Sequence, residues 1–254
     1  LVINFPNYVG LLIRIGGFGP ALSAIITLLI FGNKEDLNSF KKGFTKIKIG
    51  FIWFTIAIIV YASLIISVLS IHILLGGVLV NPFLNFSVYF LIFYITINFV
   101  MAIFIGGGNE EPGWRGFLLS SSQSNTTALN ASLITGIFWL IWHLPLWLIP
   151  DAPQSQMPLL LYIPHIIVIS ILMTWIYNTT DGSIILSMFF HGFLNFFGSN
   201  AFLFMKGGSI HYLSILVPLE VIFAIIIIII FGPKTLSDIK IPEPNEKEKR
   251  NIRR

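Results

Sequence analysis

The chain is 254 residues long, 56% hydrophobic and only 10% charged, with 15 Lys and Arg against 11 Asp and Glu for a formal net charge of +4. A water-soluble domain carries about a quarter of its residues as charges, so this composition excludes an ordinary soluble fold. There is no cysteine, which excludes disulfides, thiolate metal sites and thiol nucleophiles.

A membrane-spanning helix needs about 20 predominantly apolar residues. Seven stretches meet that length, at 8–31, 50–75, 84–105, 128–149, 159–177, 183–204 and 212–231. Gly, Pro, Asn and Ser punctuate them, as loops require. The expected fold is therefore an all-α polytopic transmembrane bundle over 1–232, followed by a charged cytoplasmic tail at 233–254. The segment after the first span carries Lys34, Lys41, Lys42, Lys46 and Lys48. The tail carries Lys234, Lys240, Lys247, Lys249, Arg250, Arg253 and Arg254. Both belong on the cytoplasmic side, and alternation of the intervening spans brings them to the same side. Leu1 then lies outside, leaving room for an eighth span in a longer chain. The lipid bilayer is the expected surrounding, a bacterial cell membrane the expected location, and no nucleic-acid partner is expected.

Ionisable groups are costly at the bilayer centre, so those present there usually serve function. The first cluster is Asn109-Glu110-Glu111-Pro112-Gly113-Trp114-Arg115, preceded by three glycines. Four positions separate Glu111 from Arg115, so on a helix they share a face and pair. Glu110 is turned about 100° away and left as a candidate general base. An interfacial loop with an ordinary ion pair is the plainer reading. The glycines and Pro112, which lacks an N–H, predict a broken helix.

The second candidate is His143, about fifteen residues into its span. A lone imidazole there serves equally well to bond a neighbouring helix. In the third cluster, His191 and Asn195 stack on one helix face by their spacing of four, with an inter-helix clamp as the alternative. His72, His165 and His211 weigh less. Depth poses a problem: if the third span ended near Ile105, Glu110 would sit at the cytoplasmic edge while His143 lay roughly 22 Å inside. The glutamates can meet the histidines only if their helix continues to about Ser120. The expectation is a long, kinked segment that buries the pair in a protein-lined, water-filled cavity.

Together these clusters resemble the CPBP family of intramembrane proteases, which includes CAAX proteases and bacteriocin-processing enzymes and is also called Abi. The resemblance rests on Glu110-Glu111 with Arg115, an aromatic (Trp139) four before His143, and His191 with Asn195, in that order. It covers about 99–200, the expected protease core. The aromatic is often Phe in the family, and Trp139 is expected to substitute as a packing ring. The resemblance implies an endopeptidase acting on membrane-associated or C-terminal-motif peptide substrates. Glu110 would activate water with help from His143, His191 and Asn195 would hold the oxyanion, and Glu111 would neutralise Arg115. Some members are described as metalloproteases, for which His143 and His191 would ligate zinc. A carboxylate that ligates cannot easily also be the base, which favours a mechanism needing no cofactor. The competing functions are a non-catalytic bacteriocin-immunity or scaffold protein and a small-molecule or ion carrier. No inverted repeat supports the carrier.

Overall fold

The computed structural model describes residues 9–46, 50–150 and 152–238, so most of the charged tail lies outside the described residues. The chain is all-α, and the one β feature among the described residues is an isolated bridge between Leu79 and Met205. Six helices are long and apolar enough to cross a membrane, and Ile184–Gly198 is a shorter apolar one. Together they account for the seven predicted spans.

The first predicted span is two helices, α1 (Val9–Gly16) and α2 (Gly19–Phe31). Gly16 and Gly17 disfavour helix continuation, and Pro20 in the first turn of α2 suits a new start. A short helix that hydropathy does not reveal, α3 (Lys34–Gly43), follows. Asn33 caps it, accepting from the Glu35 and Asp36 amides while the Asp36 carboxylate reaches back, as in a capping box. Next come α4 (Gly50–Leu74) and α5 (Val88–Phe104), the latter capped by Ser87.

The third span follows the expectation of a long, kinked segment. Helix α5 ends at Phe104, and after a short break the passage runs on to Gln123. Its second part, α6 (108–123), has mixed pitch: a 3-10 turn at Gly108–Glu110, an α turn at Glu111–Gly113, a π stretch at Trp114–Leu119 and a final α turn at Ser120–Gln123. The break lies at Gly107, whose φ of +133° is closed to most side chains. Pro112 is not the breaker; it occupies a first-turn position, where its missing N–H costs nothing. The remaining helices are α7 (Ala128–His143), followed by a 3-10 turn at Leu144–Leu148, then α8 (Leu159–Thr179), α9 (Ile184–Phe204) and α10 (Gly208–Phe231).

The main core joins buried apolar side chains of α4, α7, α8, α9 and α10, with α8 at its centre. A second small cluster (Ala24, Leu28, Phe40, Ile184) fastens α2 and α3 to the start of α9. At one end of the bundle Lys46 pairs with Asp181 at 2.8 Å, and Gln123 and Asn178 exchange amide hydrogen bonds. There too Asn178 donates to the Thr235 carbonyl and the Ala128 amide to the Lys234 carbonyl. The Lys-rich segment and the start of the tail thus share an end. At the other end the Lys206 amide donates to Val78 and the Val80 amide to Phe204.

Candidate active site

The glutamate pair is inside the protein. Glu111 and Arg115 are fully buried and Glu110 is 7% exposed. Helix α5 carries the chain inward along α9, with Ile103 packed against Gly192. From there α6 leads to the end where Gln123 meets Asn178. The continuation to about Ser120 is present, and side chains enclose the pair.

The two carboxylates have separate partners. Glu111 Oε1 accepts from Arg115 Nη1 at 3.0 Å and from His191 Nδ1 at 2.7 Å. It therefore neutralises Arg115, as the spacing of four predicts, and also ties α6 to α9. Arg115 lies 4.6 Å from the centre of the Trp139 ring, a cation–π contact strengthened by burial. Glu110 touches neither cation in this way. Its Oε2 accepts two indole N–H groups, from Trp114 and from Trp139, each at 2.9 Å. Both donors take the same oxygen, so the carboxylate is fixed in orientation.

Trp139 is the centre of the arrangement. Its ring packs against His191 at 5.0 Å and His143 at 6.1 Å, so α7 brings both histidines to one indole. His143 is half-buried, and its Nδ1 bonds the Trp139 carbonyl at 2.9 Å. With the proton on Nδ1, its Nε2 remains an acceptor. Asn195 Nδ2 donates to the Gly106 carbonyl, which commits one of the two amide N–H groups. The glycine run closes over these residues: a Cβ on Gly107 would meet Asn195 Nδ2 and His191 Nε2. Asn109 turns back to accept the Gly107 amide at 3.0 Å.

A cleft of about 230 Å³ lies beside the site, between α2 and α6, lined by Pro20, Thr27, Gly113, Trp114 and Trp142. Trp114 is shared between its wall and Glu110. Among the described residues no three His, Asp or Glu side chains converge as a metal cage requires. As placed, His143 and His191 are not gathered with a carboxylate as ligands of one metal ion.

Sequence reasoning brought Glu110, Glu111, Arg115, His143, His191 and Asn195 to one place, and they are there. It missed the indole donors, because Trp139 is expected only as a packing ring and no spacing sets Trp114 apart. It also missed Glu220, whose Oε2 lies 2.8 Å from His165 Nδ1 with the carboxylate fully buried. A solitary acid within the 24 residues of α10 is itself a signal of the intramembrane kind. His72 and His211, which weigh little in the sequence, pair Nδ1 to Nε2 at 2.7 Å.

Residues 92–197 match the family of type II CAAX prenyl endopeptidases described as Rce1-like. CAAX prenyl protease 2 of Methanococcus maripaludis is 32% identical over 112 residues, an alignment covering 41% of this chain and 41% of that relative. The match bears out the resemblance to CAAX-type proteases and contains the six motif residues. The likeness spans about two fifths of that relative's length.

Proposed function

We propose that the chain is an integral-membrane endopeptidase that hydrolyses peptide bonds of membrane-associated or C-terminal-motif substrates through a water activated at Glu110. The observation that carries this reading is the division of labour between adjacent glutamates. Glu111 is engaged through Oε1 by the cation Arg115 and by His191 and is fully buried, while Glu110 is oriented through Oε2 by two neutral donors and keeps slight exposure.

In this mechanism Glu110 Oε1 takes a proton from water, and the hydroxide adds to the scissile carbonyl carbon. His143 Nε2 accepts the other hydrogen of that water and orients it. The developing oxyanion receives the free N–H of Asn195 and an N–H from His191. Because His191 Nδ1–H is held by Glu111, donation from Nε2 calls for a second ring proton, and Glu111 then faces two cations, Arg115 and His191. Collapse breaks the C–N bond, and Glu110 returns its proton to the leaving amine. General-base assistance contributes about 10²–10⁴-fold and an oxyanion donor about 10²–10³-fold. No cofactor is needed. By the positive-inside rule the end carrying Lys34–Lys46 and Lys234 is cytoplasmic.

The relative's name, a CAAX prenyl protease, makes a quenched prenylated C-terminal-motif peptide the first substrate to try. Purified protein in liposomes is compared with Glu110→Gln, Glu111→Ala and His143→Ala, with and without a zinc chelator. Cleavage that is lost in Glu110→Gln and His143→Ala and indifferent to chelator supports the reading. Loss on chelation with rescue by zinc replaces it with a metal mechanism. A folded wild type no more active than Glu110→Gln rejects it and moves a binding or immunity role ahead.

A further inference from the structure

Glu220 takes no part in the chemistry assigned to Glu110, yet it is fully buried within α10. Its Oε2 bonds His165 Nδ1 at 2.8 Å, and its Oε1 has no hydrogen-bond partner. Tyr61 and Tyr212 also face this carboxyl, and the bond to His165 is the hydrogen bond that orients it. Such a pair is a poor stabiliser: replacing buried ion pairs by apolar side chains is often neutral or favourable. Its retention among apolar helices calls for another reason.

The surroundings of His165 supply one. One turn earlier on α8 stands Tyr162, 6% exposed, with its ring 5.8 Å from His165 and 6.1 Å from His143. The third neighbour of Tyr162 is Trp147 at 4.8 Å, itself anchored by donating to the Met157 carbonyl at 2.9 Å. Tyr162 thus sits in a three-sided aromatic box with His143 as one wall and His165 as another. Pro164, between Tyr162 and His165, and Pro218, just before Glu220, each remove a helical N–H. The helices are thus less rigidly self-supporting where the pair joins them, and the side-chain bond takes over the task of fixing their spacing.

We infer that Glu220 is a positioning residue for the active site: by accepting from His165 it fixes the Tyr162 ring, which in turn holds His143 against Trp139. This rests on the protease reading for its kinetic consequence but not for its structural one. The function of Glu220 is then that of an acceptor, not of a charge or a volume.

Two variants separate these properties. Glu220→Leu keeps an apolar bulk and removes the acceptor, whereas Glu220→Gln retains an acceptor oxygen. The first readout needs no substrate: the rate at which diethyl pyrocarbonate modifies His143, mapped by mass spectrometry after chymotryptic digestion. Glu220→Leu is expected to raise that rate severalfold and to lower kcat about tenfold with KM unchanged, and Glu220→Gln to restore most of both. A purely structural role moves thermal stability alone, leaving kcat and His143 modification at wild-type values, and this result overturns the proposal. So does equal impairment by Leu and Gln. Should Glu220→Leu not fold, Tyr162→Leu decides: unchanged His143 modification refutes the chain of contacts, and a severalfold rise supports it. If wild type cleaves no peptide, the protease reading fails, while the modification rates still decide the role of Glu220.

Discussion

Replacing Gly107 by alanine adds one methyl group at the most crowded point of the site. The new Cβ would stand 2.5 Å from His191 Nε2 and 2.9 Å from its Cδ2, and closer still to Asn195 Nδ2. Ordinary contact needs about 3.5 Å, so the imidazole or the loop must yield by roughly 1 Å. The backbone cannot absorb this easily, because φ at this residue is +133°; holding alanine there costs on the order of 1–3 kcal/mol. His191 is anchored on its far side by Glu111, so the displacement falls mainly on Nε2 and on the Asn195 amide. A misplacement of about 1 Å lowers catalysis by about 10²-fold. The assay is peptide cleavage in liposomes, normalised to folded protein by thermal melting. We expect kcat to fall by about 10²-fold, with a folded protein that melts several degrees lower. Activity within threefold of wild type would refute the idea that the glycine turn sets the position of His191 and Asn195.

Two further substitutions probe the carboxylates separately. Trp139→Phe keeps a ring beneath Arg115 but deletes the N–H that reaches Glu110; with Trp114 still donating, kcat should fall about tenfold at constant KM, and the lost bond and lost volume should lower the melting temperature by several degrees. Wild-type kcat in that variant would show that a packing ring suffices. Arg115→Ala leaves Glu111 buried without its strongest partner, a loss of about 3–5 kcal/mol. It should lower the melting temperature by about 10 °C or more and reduce yield, and a melting curve superimposable on wild type would count against the buried pair as described.

The spans and the reacting residues were legible because both are written in one dimension. Hydropathy marks a helix by its own composition, and Glu111 with Arg115 or His191 with Asn195 announce a shared face by spacing alone. The split of the first span into α1 and α2 was also within reach, since Gly16, Gly17 and Pro20 stand together. What could not be read was where α6 goes after the glycines. That direction is set by Gly113 packing on Pro20 of α2 and Gly116 on Ile184 of α9, contacts between residues far apart in the chain. The indole donors are hidden for the same reason: Trp139 reaches Glu110 across 29 positions. Glu220 is different. Its isolation among apolar residues was visible, and only its partner, 55 positions away, was not.

The π-pitched stretch at Trp114–Leu119 sets where along α6 a change of length is tolerated. Such a stretch holds more residues per turn than an α-helix. The stretch itself takes up one extra residue and can lose it with little net rotation, but removing a single residue from the α turn at Ser120–Gln123 would rotate everything before it by about 100°. Trp114 and Arg115 would turn along with the glutamates, but Trp139 and His191, on other helices, would not. Glu110 would move into the place beside His191, and Asn109 into the place beside Trp139. Which of two adjacent, chemically identical carboxylates meets the water is therefore decided by register, counted from the far end of the helix.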